Sequence, residues 1–150
     1  MKIVRDNPLF FAFLLPAFVD SVITLLGQTP QYWSQQRIVN EANPVYYFLL
    51  VSPWLYIIGS IIWFAIWYWV IKKIKEPFNI FLMFLFTIGH SWGSSTWILR
   101  FLREQGLFRY GDQLSQMIGW AIIILYFSIV ALFASYFLLI YLKKKINYSK

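Results

Sequence analysis

The sequence predicts an all-α integral membrane protein with four transmembrane helices in one bundle and both termini on the cytoplasmic side. Three observations lead there. Hydrophobic residues make up 60% of the chain and charged residues only 13%, and the apolar ones fall in four long runs rather than at amphipathic spacing. Four spans with short connections consume most of the 150 residues, which leaves room for one domain and no separate soluble one. The amino terminus, the turn at 72–75 and the carboxyl tail together hold nine basic residues, against four in the two other connections. That asymmetry places both ends inside.

The formal charge of +7 is accordingly read as topology, and no nucleic-acid partner is expected. Cysteine is absent, which removes disulfides, thiol catalysis and thiolate metal sites.

The first span is expected over about residues 9–27. It is too long for the core of a secretory signal, carries Pro16 and Asp20, and is followed by no small-x-small cleavage pattern, so it is read as a retained helix. Pro16 should bend it and free the carbonyl four residues earlier. Pro16, Asp20, Thr24 and Gly27 share one face, so bend and polar groups form a stripe directed at protein rather than lipid.

A polar connection over residues 28–43 holds Tyr32 and Trp33, aromatic residues of the kind that settle at headgroup level. Asn43-Pro44 has the form of a helix start, with Asn43 as cap and Pro44 at the first helical position. The second span, about 44–71, exceeds a perpendicular crossing and should tilt or kink at Pro53 or Gly59. Lysines 72, 73 and 75 close it.

The third span, about 78–97, has two unlike halves. Its first is apolar, whereas its second holds Thr87, Gly89, His90, Ser91, Gly93, Ser94, Ser95 and Thr96, residues that let helices approach closely and hydrogen-bond across the contact. A second polar connection over 100–116 carries Arg100, Arg103, Glu104, Arg109 and Asp112, with Gly106 and Gly111 as turn punctuation. The fourth span runs over about 117–142 and stops at Lys143-Lys144-Lys145.

Depth decides which polar groups can meet. Asp20 and His90 each lie seven residues from the outer end of their span, roughly 10 Å deep at about 1.5 Å per residue, so they are expected at one level. Glu41 and Asn43 lie directly above them, and Thr24 and Ser94 one turn further out. The candidate ligand site is therefore Asp20, Thr24, Glu41, Asn43, His90 and Ser94, with Arg100 beside it, opening to the non-cytoplasmic side. Asp20, Glu41 and His90 are the candidates for catalysis and for binding a divalent metal ion. The pocket could equally hold the polar end of a lipid-like ligand.

Each residue also has a plainer role. Asp20 with His90 could be only an interhelical polar contact, Asn43-Pro44 only a cap, and the hydroxyl cluster only packing. Arg100, Arg103 and Arg109 could simply pair with Glu104, Asp112 and lipid phosphates, or could hold an anionic headgroup. Gly89-His90-Ser91-Trp92-Gly93 matches the G-x-S-x-G nucleophile elbow, but that motif needs a strand-to-helix turn and here lies inside a helix.

The pairing of Asp20-x-x-x-Thr24 with Glu41-x-Asn43-Pro44 resembles small prokaryotic membrane proteins in which an aspartate and a threonine on the first helix precede an E-x-N-P start of the second. That resemblance implies a four-helix membrane fold, located in a prokaryotic plasma membrane, and no activity. In architecture the chain also resembles the EXPERA group of sterol-isomerase and sigma-2-receptor-like proteins, with four spans, acidic residues near the first loop, a histidine on the third helix and a basic tail. This second likeness implies a lipid-like ligand and transfers no catalytic residue. The expectation is a bundle whose outward-opening polar pocket binds a metal ion or a small amphipathic ligand, with membrane lipids as surroundings. The competing expectation is a non-catalytic accessory subunit of a larger membrane complex.

Overall fold

A computed structural model describes residues 2–35, 38–41 and 46–148. Among the described residues there are helices and no strand: α1 (Lys2–Asp6), α2 (Pro8–Leu26), α3 (Pro30–Gln35), α4 (Tyr46–Val51), α5 (Pro53–Lys73), α6 (Phe78–Glu104) and α7 (Gln113–Tyr148). Three of them, over Pro8–Leu26, Pro53–Lys73 and Gln113–Asn147, are long and apolar enough to cross a membrane. The 27-residue α6 is long enough but is diluted by its polar second half.

The middle of the bundle is α2. Its apolar window is 39% buried, against 11% for α5 and 17% for α7, because α5, α6 and α7 all pack around it. Proline at the first helical position starts it, and the Gly27 N–H closes it by donating to the Ile23 carbonyl at 2.8 Å. Leu9, Phe10, Ala12, Phe13 and Ala17 meet Ile71, Met83, Ala134 and Phe137 in the main core. Alanines at 12 and 17 bring the helices close, and Phe13 fills the space between Phe86 and Trp63.

The second span is shorter than the expected 44–71. Residues 42–45, and with them the Asn43-Pro44 cap, lie outside the described residues, and beyond them the helix breaks at Ser52. Proline excludes the residue before it from helical backbone, and Ser52 is fully extended (φ −172°, ψ 141°), its Oγ accepting from the Trp54 N–H at 3.1 Å. Instead of bending at Pro53, the chain folds α4 back so that Phe48 packs over Gly59. The 21-residue α5 alone is the membrane-length piece.

Tyr32 does not turn its ring outward as a headgroup-level aromatic would. It is fully buried against Leu49 and Tyr56 and donates its hydroxyl to the Leu49 carbonyl at 3.0 Å, while the neighbouring Trp33 is exposed. The loop thus has a small core of its own.

Helix α6 continues past the expected end at 97, since nothing breaks it before Gly106 and the Arg100–Glu104 pair (3.0 Å) supports its last turns. Arg100 and Arg103 are therefore helical rather than loop residues. Gly106 and Gly111 take positive φ (75° and 84°) in the turn that follows, and the Asp112 carboxylate accepts from the Ser115 N–H at 3.1 Å where α7 begins. At the opposite end of the bundle, Lys144 donates to the carbonyls of Arg5 and Asp6, and Lys145 pairs with Glu76 at 2.5 Å. The amino terminus, the α5–α6 turn and the end of α7 thereby share one end.

Candidate functional site

The polar stripe of α2 faces protein. Pro16 and Thr24 are buried, Gly27 lies against Trp97, and Asp20 reaches α6. There Nδ1 of His90 lies 2.8 Å from Oδ2 of Asp20. Depth counting had set the two residues level, and they meet. The approach depends on Gly93: a Cβ there would fall 2.8 Å from Oδ1 of Asp20. Trp63 closes the other side of the imidazole edge-on, with ring centroids 5.2 Å apart.

Asp20 and His90 line a cavity of about 390 Å³ together with Glu41, Leu85, Phe86, Gly89, Gly93, Thr96 and Trp97. A second cavity of about 400 Å³ adjoins it, sharing Glu41, Thr96 and Trp97 and adding Val39, Asn40 and Arg100. Glu41 is brought there by Gln28. That buried side chain donates to the Thr24 carbonyl (2.8 Å) and accepts from the Asn40 N–H (2.9 Å), tying the loop to the end of α2.

Of the expected site residues, Asp20, Glu41 and His90 share the inner cavity and Arg100 walls the outer one. Thr24 is buried, and its carbonyl serves Gln28. Asn43 lies outside the described residues. Ser94 turns away from the cavity: its hydroxyl donates to the His90 carbonyl (2.6 Å) and meets the Tyr126 hydroxyl of α7 (2.6 Å). Helical spacing put it near the face of His90 but could not say which neighbour that flank would face. Ser91 and Ser95 likewise bond back to the carbonyls of Thr87 and Trp92, inside a helix and remote from any strand-to-helix turn.

Asp20, Glu41 and His90 do not converge as a chelate. Among the described residues no three His, Cys, Asp or Glu side chains come together in a way that could hold a metal ion. What they form is a carboxylate–imidazole dyad on a cavity wall. With Nδ1 committed to Asp20, Nε2 of His90 has no hydrogen-bond partner among the described residues. Such an arrangement fixes the tautomer and leaves Nε2 to take or give a proton.

One contributor was missed in the sequence: Gln28 sits just past the end of an apolar helix, and a polar amide there was a readable signal for loop anchoring. Of Trp63, Trp92 and Trp97, the tryptophans whose positions in the spans suggest either pocket lining or core packing, Trp97 walls both cavities. No family model, curated protein or solved structure matches the chain.

Proposed function

We propose that this chain is a four-span integral membrane protein that holds a small amphipathic, lipid-like ligand in the chamber walled by Asp20, Glu41 and His90, with His90 available for acid/base work on it. The observation that carries this reading is the 2.8 Å contact between His90 Nδ1 and Asp20 Oδ2 at the wall of a cavity whose other lining includes Leu85, Phe86 and Trp97. Ligand pockets combine mostly apolar walls with a few placed polar groups. An ionisable pair at membrane depth is costly unless it has work or a partner; here each group partners the other, and a ligand would give the pair work.

The fourth span in this reading is α6. His90 is taken up by α2 and Ser94 by α7, and Thr87, Ser91, Ser95 and Thr96 bond back to carbonyls of α6 itself, while Phe78, Phe81, Leu85, Ile88 and Trp92 form an exposed stripe at helical spacing. That stripe suits hydrocarbon. The basic end of the bundle, with Lys72, Lys144 and Lys145 around one cavity, then belongs on the cytoplasmic side, and the chamber opens outward.

Photolabelling of the purified protein with a diazirine-bearing fatty amphiphile tests the reading. Gly89 lines the chamber, and a Cβ there meets nothing within 4 Å, so Gly89→Leu has open space in which to start its side chain. Labelling should fall sharply in Gly89→Leu and change in His90→Ala. Equal labelling of wild type and all variants, with stoichiometric co-purification of other subunits, would leave the accessory-subunit expectation standing instead.

A further inference from the structure

Arg100, on the wall of the outer chamber, carries a donor without an acceptor among the described residues. Its Nη1 is buried and has no hydrogen-bond partner there, although the guanidinium is oriented from two sides, by Nε on Glu104 (3.0 Å) and by the Trp97 ring (5.3 Å to the centroid). Buried guanidinium N–H groups are ordinarily satisfied, and an oxyanion is their best acceptor. The same chamber is walled by Glu41. A plain anion would lose to Glu41 much of what it gains from Arg100, whereas a group that also carries a cation a few bonds away matches both.

We infer that the outer chamber receives a zwitterionic ammonium–phosphate headgroup, its phosphate on the partly exposed guanidinium of Arg100 and its ammonium toward Glu41. This rests on the ligand reading above and names the ligand's polar end. A carboxylate accepts several hydrogen bonds, so Glu41 can serve the ammonium alongside its existing contact. The acyl portion would continue past Trp97, which walls both chambers, toward Leu85 and Phe86.

Binding to the purified protein in nonionic detergent is measured for phosphatidylethanolamine, phosphatidylglycerol and free phosphoethanolamine. Wild type should prefer phosphatidylethanolamine over phosphatidylglycerol, and Arg100→Gln should weaken it by about tenfold or more, as loss of a charged hydrogen bond does. Glu41→Gln should reverse the order by admitting phosphatidylglycerol, a gain of binding that misfolding cannot produce. Phosphoethanolamine binding as tightly as the lipid, with the same variant dependence, would assign the headgroup chemistry to a soluble ligand; failure to bind assigns it to lipid. Equal affinity of wild type for the two lipids, or indifference to Arg100→Gln, overturns the inference. Should Gly89→Leu abolish amphiphile binding while the Arg100 and Glu41 variants keep it, the chamber reading stands and the headgroup inference falls. Should Gly89→Leu change nothing while the other two variants act as described, the reverse holds.

Discussion

A methyl group at Gly93 would lie 2.8 Å from Oδ1 and 3.1 Å from Oδ2 of Asp20. The carboxylate therefore reaches His90 only because α6 has no side chain where the two helices cross. Gly93→Ala should push Asp20 off the imidazole and cost about 1–3 kcal/mol, the usual range for overpacking. One turn earlier, Gly89 faces open space, and Gly89→Ala should be neutral or stabilise by up to about 1 kcal/mol through helix propensity. Thermal unfolding of the two variants in one detergent compares them directly; equal melting temperatures would remove the close-approach argument.

Gly27 makes the next crossing of the same two helices. Its Cβ would collide with Cε3 of Trp97, and it also faces the Ile23 carbonyl at 2.8 Å. Gly27→Ala is expected to destabilise by about 1–3 kcal/mol. Because the closest atom belongs to a side chain, Trp97→Leu in the same protein should recover part of that loss. A double variant no more stable than Gly27→Ala alone would point to the Ile23 carbonyl as the obstacle.

The helical class and the Asp20–His90 level were legible because both follow from counting: apolar run length fixes helices, and equal distance from span ends fixes depth. The pairing then needed only that α2 and α6 be neighbours. What counting could not supply was azimuth. Ser94 lies four residues from His90, yet it turns to α7, because a helix buried on two sides divides a polar stripe between two partners. Nor could it foresee the fold-back at Ser52, where a proline in an apolar run permits either a kink or a full break and the packing of Phe48 on Gly59 selects the break. The inward turn of the Tyr32 ring was missed for a related reason: an aromatic residue in a polar loop reads as turned outward at headgroup level until a local core, here Leu49 and Tyr56, is known to exist.

At the basic end, Glu76 accepts from Lys145 and from the Tyr141 hydroxyl, and these contacts hold its carboxyl below the usual range. A depressed folded-state value means that its contribution is fully present above the ordinary carboxylate pKa and is lost as the pH falls through the folded one. The tie between the α5–α6 turn and the end of α7 should accordingly loosen as the pH falls below the ordinary carboxylate value and through the lowered one of Glu76. Glu76→Gln should abolish that dependence, which hydrogen exchange of the turn amides across the same window would report. A turn equally protected at both extremes would show that Glu76 is incidental there.

Ser94 and Tyr126 join α6 to α7 by one hydroxyl pair at 2.6 Å, and Ser94 also donates to the His90 carbonyl. Since Ser94 has only one proton, the order must be Tyr126 to Ser94 to His90 carbonyl. The two deletions are then unequal. Tyr126→Phe leaves the serine bonded to its own helix, whereas Ser94→Ala strands a half-buried phenol, so the serine variant should be the less stable of the two. Their coupling in a double-mutant cycle should fall near 0.6 kcal/mol and no higher than about 1.7 kcal/mol, the range for interhelical hydrogen bonds in membranes. Because the pair lies outside the Asp20–His90 chamber, amphiphile labelling should be the same in both variants as in wild type. Loss of labelling in Ser94→Ala at unchanged stability would return Ser94 to the ligand site.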